Sequence, residues 1–135
     1  MDQTTPTQSL KYTVLITEDE TPLRETLARA LTDAGFAVLQ AENGTKGLDF
    51  ALHHKPDLIL LDIRMPEMSG FQMLSRLRDS GSWGLHVPAL FLTNIALSDE
   101  QEKSDIANLE PKSYIVKSDT SMSDIVARVK QVLGA

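Results

Sequence analysis

Asp57-Leu58-Ile59-Leu60-Leu61-Asp62-Ile63-Arg64-Met65-Pro66-Glu67-Met68-Ser69-Gly70 is the stretch that decides the fold. Leu58 to Leu61 are four large aliphatic side chains in a row, with none of the polar alternation of a half-exposed strand. An extended segment of this kind needs cover on both faces, as in a parallel sheet flanked by helices. The run is far too short to cross a bilayer, which takes about 20 apolar residues. It stops at a carboxylate, Asp62, and Pro66 and Gly70 follow soon after.

Working outward, two further near-continuous apolar runs match it, Val14-Leu15-Ile16 and Ala89-Leu90-Phe91-Leu92. The predicted strands are Thr13–Thr17, Ala37–Ala41, Leu58–Leu61, Ala89–Leu92 and Tyr114–Val116. Helical patterns lie between them. Thr21 is placed to cap the first, with Pro22 at its first position. Leu23, Leu27, Leu31 and Ala34 then recur at helical spacing until Gly35 stops the helix. Leu48, Ala51 and Leu52 mark a second helix, and Phe71, Leu74 and Leu77 a third. A fourth, more polar helix starts at Ser98, where Gln101 completes a capping box; Ile106 and Leu109 are its large apolar residues. Ile125, Val126, Val129, Val132 and Leu133 define the last. Strand and helix alternate five times, which predicts an α/β domain with a doubly wound, flavodoxin-like (βα)5 fold. Its five-stranded parallel sheet has the expected order 2-1-3-4-5.

The chain has 135 residues, enough for one domain, and residues 1–11 read as a disordered tail before a single domain over 12–135. There are 13 basic and 19 acidic residues, a net charge of −6. No basic patch is available to meet nucleic acid phosphates, so direct nucleic acid binding is not expected. Cysteine is absent, which excludes disulfides, thiolate metal sites and cysteine nucleophiles. The polar N-terminus lacks a signal-peptide core, and no stretch is suited to a membrane. A cytoplasmic location is the expectation.

In open parallel sheets, ligands bind beyond the carboxyl ends of the strands, where the strand order reverses. Glu18, Asp19 and Glu20 follow the first strand, Asp62 the third, Thr93 and Asn94 the fourth, and Lys117 the fifth. Glu42 and Asn43 follow the second strand, which this order puts at the sheet edge. Carboxylates suit a hard cation such as Mg2+. A lysine and a hydroxyl facing the same place suit phosphate oxygens. A carboxylate can also be the nucleophile that forms an aspartyl phosphate.

These residues and their surroundings resemble the receiver domain of two-component response regulators. Val14-Leu15-Ile16-Thr17-Glu18-Asp19-Glu20, the Asp57–Gly70 block, Leu92-Thr93-Asn94 and Tyr114-Ile115-Val116-Lys117 carry the resemblance, over about residues 12 to 133. The resemblance implies that Asp62 is the phosphoacceptor and that Mg2+ is held by Asp19, Asp62, the backbone carbonyl of Arg64 and, mainly through water, Glu18. Thr93 would turn toward the phosphoryl group, Lys117 would pair with it, and Tyr114 would change rotamer with Thr93. The switched surface would be the fourth helix, the fifth strand and the last helix, through which two copies can also dimerise. A histidine kinase or phosphotransfer protein would donate the phosphoryl group. A downstream protein would read the result, since no output domain is expected after Ala135. The domain would catalyse only its own phosphorylation and slow dephosphorylation, without being a metabolic enzyme.

The chain departs from the family pattern at Ser118, where Pro is usual, at Asn94, where a small residue is usual, and at Glu110-Pro111, where Gly-Ala is common. Pro111 predicts an early end to the fourth helix, and Asn94 predicts altered access to the phosphate. The rival reading is a pseudo-receiver, a protein-interaction module independent of phosphorylation. A phosphatase of the haloacid dehalogenase type is opposed by Arg64, which stands where a second acid would be needed. A flavin binder is opposed by the acids at the strand ends. His53, His54 and His86 lack metal-ligand spacing, and Trp83, in a predicted Ser80–His86 loop, reads as a packing residue. Gly35, Gly44 and Gly47 form no phosphate-binding fingerprint.

Overall fold

In a computed structural model, which describes residues 12–93, 104, 113–117 and 120–135, five parallel strands form one sheet in the order β2-β1-β3-β4-β5. The strands are β1 (Thr13–Thr17), β2 (Ala37–Ala41), β3 (Leu58–Asp62), β4 (Ala89–Thr93) and β5 (Ser113–Val116). Among the described residues, the helices with defined bounds are α1 (Thr21–Asp33), α2 (Gly44–His54), α3 (Gly70–Arg78), a five-residue α4 (Ser82–His86) and α5 (Met122–Leu133). The predicted sheet and strand order are thus observed. The helix expected from Ser98, with Gln101, Ile106 and Leu109, lies outside the described residues. So do Asn94, Glu110, Pro111, Ser118 and the side chain of Tyr114.

The all-apolar strands explain the two cores. Side chains alternate across a strand, so each central strand feeds both faces. Leu15, Ile59, Leu61, Ala89 and Phe91 pack on one face with Ala51, Met73, Leu74 and Leu77 from α2 and α3. Val14, Ile16, Leu58, Leu60, Leu90 and Leu92 pack on the other with Leu27, Leu31, Ile125 and Val129 from α1 and α5. Leu58 to Leu61 are fully buried, and each such side chain stabilises the fold by about 2 kcal/mol relative to exposure. Phe71 meets Phe91 edge to face, with ring centroids 5.4 Å apart.

Three helix starts are capped by side chains. Asn43 accepts from Lys46 N–H, Ser121 accepts from Asp124 N–H, and Ser69 forms a capping box with Gln72. The structure corrects three expectations. Thr21 is the first residue of α1 rather than its cap; Glu20 takes the cap position, because its carbonyl accepts the first helical bond, from Arg24 N–H at 2.9 Å. Leu52 is 41% exposed rather than on the core face of α2. The predicted loop around Trp83 contains α4, and Trp83 packs against the core beside α3.

Gly70 is where the fold meets the end of β3. A Cβ there would lie 2.2 Å from the backbone oxygen of Asp62, nearer than any side-chain carbon can approach. Its N–H also donates to the Ile63 carbonyl at 2.9 Å. Gly70→Ala is therefore expected to lower stability by about 2 kcal/mol, the usual cost of forcing an atom into a packed site. Urea unfolding would show this as a lower midpoint with an unchanged slope. An unchanged midpoint would contradict the close approach.

Candidate functional site

Strand register brings the chemistry to one edge. Thr17 pairs with Leu61, Asp62 with Leu92, and Thr93 with Val116. The residues just past these pairs, Glu18 and Lys117, therefore flank Asp62 from the two sides of the sheet. Glu42 and Asn43 follow β2 at the edge, as the strand order requires.

Lys117 Nζ is the hub. It lies 2.7 Å from Glu18 Oε1, 3.3 Å from Asp62 Oδ2 and 3.4 Å from Glu20 Oε1. The Glu18 contact is within ion-pair distance, yet Glu18 Oε1 is buried without a well-directed hydrogen bond. Glu18 Oε2 accepts from the N–H of Glu20 at 3.1 Å, and Asp62 Oδ1 accepts from the N–H of Arg64 at 3.3 Å. The Arg64 peptide is thus set beside Asp62. Thr93 is buried at the end of β4. For Tyr114 the structure gives only a backbone place in β5, opposite Phe91.

One oxygen each from Glu18, Asp19 and Asp62 can lie within 4.8 Å of one another. Glu18 and Asp62 are buried and Asp19 is exposed. A hexacoordinate Mg2+ with bonds of about 2.1 Å, or its inner waters, spans such a gap. The donors are all hard oxygens, so the residues fit a divalent cation. Glu18, Asp62 and Glu20 face a single ammonium, that of Lys117, which leaves an excess of negative charge for a cation to offset.

The electrostatics follow from burial. Loss of water pushes the Glu18 carboxyl up from its ordinary 4.5 to about 7, against the opposing pull of Lys117. Burial likewise pushes Asp62 upward, against the pull of Lys117. Burial alone would lower Lys117, but contact with Glu18 and Asp62 outweighs it and holds the ammonium above its usual range.

The structure adds two contacts to the strand-end residues of the site. Glu20 reaches Lys117, and Arg24 on α1 donates to the backbone of Glu18. Arg24 stands six residues beyond Glu18, one turn into a helix that begins at the turn itself. That spacing was the available signal. His53 and His86 contact carbonyls of their own helices, those of Asp49 and Ser82, and His53 also lies 3.2 Å from the Asp49 carboxylate.

Known proteins share this sequence and shape. A model of the response regulator receiver domain matches residues 14–130. The phosphate regulon transcriptional regulatory protein PhoB of Pseudomonas aeruginosa is 38% identical over 121 residues, covering 90% of this chain and 51% of PhoB. The polar-differentiation response regulator DivK of Brucella anthropi is 34% identical, covering 90% of this chain and 95% of DivK. The Vibrio cholerae chemotaxis protein CheY4 superposes with a TM-score of 0.80 at 26% identity, over 90% of this chain and 98% of CheY4. The chain thus spans about half the length of several curated relatives it matches.

A raised carboxyl pKa carries a definite stability sign. The folded state holds the Glu18 proton more tightly than the unfolded chain does. That contribution is complete below pH 4.5 and is lost as pH rises through about 7. With divalent cations chelated, the melting temperature should fall by several degrees between pH 5 and pH 8, and Glu18→Gln should flatten the fall. A melting temperature that rises over this interval would contradict the desolvated site.

Proposed function

Because this chain belongs to the response regulator receiver family, we propose that it takes a phosphoryl group onto Asp62 and passes the signal on through a protein-binding surface. The observation that carries this reading is the buried Asp62 carboxylate, with Glu18 and Asp19 close to it and Lys117 Nζ 3.3 Å from it.

The donor is a phosphohistidine on a histidine kinase or phosphotransfer protein. An Asp62 oxygen attacks the phosphorus, and a P–O bond forms as the P–N bond breaks. The electron pair of that bond stays on the imidazole nitrogen, which takes up a proton from solvent. Burial favours the attack, since a desolvated carboxylate is a stronger nucleophile than a hydrated one. Lys117 holds Asp62 in place and pairs with the incoming phosphoryl oxygens. Thr93 supplies a hydroxyl to the same oxygens. Hydrolysis reverses the modification: water attacks the phosphorus, the acyl P–O bond breaks, and Asp62 leaves as a carboxylate.

Glu18, Asp19, Asp62 and the Arg64 carbonyl would hold Mg2+, which offsets the charge of the carboxylates and of the transferring group. The domain acts on itself alone and turns over no metabolite. The switch reading has Thr93 move on phosphorylation and Tyr114 follow, which biases a surface of β5, α5 and the segment before β5. A downstream protein binds that surface, and a second copy can occupy it. A cytoplasmic location, where histidine kinases present their phosphoryl groups, belongs to the same reading. No described helix is long and apolar enough to cross a membrane.

Intact mass after incubation with Mg2+ and acetyl phosphate tests this. The parent should gain one phosphoryl group, and Asp62→Asn or added chelator should abolish the gain. Lys117→Met should cut the adduct by at least tenfold, as loss of a charge-stabilising group does. No adduct, with no response to beryllofluoride, would leave the phosphorylation-independent interaction module as the better reading.

A further inference from the structure

The exposed acid of the cluster, Asp19, needs something to aim it. Glu18 and Asp62 are buried and fixed by Lys117, whereas Asp19 projects from the turn between β1 and α1. Its direction depends on the Glu18–Asp19 peptide plane. That plane contains the carbonyl oxygen of Glu18, because the peptide unit is rigid. Arg24 donates to this oxygen through Nη1 at 2.9 Å. The same guanidinium reaches Gln40 Oε1 on the edge strand β2 through Nε at 3.3 Å, and its Nη2 lies 3.5 Å from Thr21 Oγ1. The turn is held from the other side by Glu18 N–H, which donates to the Ala41 carbonyl at 3.1 Å.

We infer that Arg24 is a positioning residue for the divalent cation, acting through the Glu18 carbonyl to hold the carboxylates of Asp19 and Glu18 in a cation-ready arrangement. This rests on the metal-site reading above. The planar fork of arginine suits the task, since three donors spread over one rigid group meet acceptors on the turn, the helix start and the neighbouring strand. An ammonium presents its donors from a single point and cannot span them.

Two effects of Arg24 on a cation oppose each other. A guanidinium near the site repels Mg2+, while an ordered turn attracts it. If charge were its main effect, removing it would tighten binding; if positioning is, removal weakens binding. The deciding measurement is Mg2+ affinity of the full chain by isothermal titration calorimetry, in the absence of any phosphodonor. Arg24→Gln should weaken Mg2+ by about tenfold, the lower end of the effect of losing an outer partner of a ligand. Arg24→Lys, which keeps the charge and loses the fork, should weaken it to a similar extent. Arg29→Gln, an exposed charge farther along α1, should bind like the parent.

Unchanged or tighter binding by Arg24→Gln would overturn the inference, as would parental affinity in Arg24→Lys. Should Arg24→Gln fail to fold, Arg24→Lys decides alone. A parent that binds no Mg2+ would overturn the metal-site reading, and this inference with it. A parent that binds Mg2+ beside unaffected variants would overturn this inference only.

Discussion

Lys117 Nζ sits among three carboxylates, and the shape of the site depends on that one cation. Glu18 and Asp62 lie almost out of water at the rim of an apolar sheet. An ionised carboxyl in such a place costs several kcal/mol unless a partner offsets it. Lys117 contacts both of them and Glu20. It cannot neutralise them all, and the carboxyls of Glu18 and Asp62 stay raised despite it. The fold therefore keeps unspent electrostatic strain at one edge. A divalent cation is a ligand that such an edge can hold.

The sheet makes this arrangement reproducible. Parallel strands end at the same side, so residues at the ends of β1, β3, β4 and β5 converge even though they are far apart in the chain. The apolar strands anchor the carboxylates from below. Leu61, directly before Asp62, is fully buried, as is Ile16, two residues before Glu18. Close packing of the next loop leaves little freedom above them. Gly70 admits the Asp62 carbonyl at a distance no other residue would allow, and Gly44 makes a similar approach to the Met68 carbonyl. Rigid neighbours are what let a carboxylate keep a reactive orientation without being hydrated.

Around this rigid centre the β1–α1 turn is the least buried part of the site. Glu20 opens α1 without a side-chain cap bond, and its carboxylate faces Lys117 instead. The first turn of α1 gains from nearby negative charge through the helix dipole. Arg24 closes the turn onto β2. Stability and site geometry thus share the same few residues, and change at one reaches the other.

The amino-acid order by itself determined the alternation of strand and helix, the parallel sheet and its strand order. Continuous apolar runs such as Leu58–Leu61 demand cover on both faces, and little else satisfies that demand. It also placed Glu18, Asp19, Asp62, Thr93 and Lys117 at strand ends, since the switch point of such a sheet follows from strand order alone. Tertiary structure decided the rest. Whether Glu18 or Asp19 is the buried acid, that Lys117 also reaches Glu20, that Leu52 faces water, and that Arg24 grips a backbone carbonyl are matters of distance and burial. A one-dimensional pattern gives the face and the period of a residue. It does not give which atoms lose their water, and here the lost water sets the chemistry.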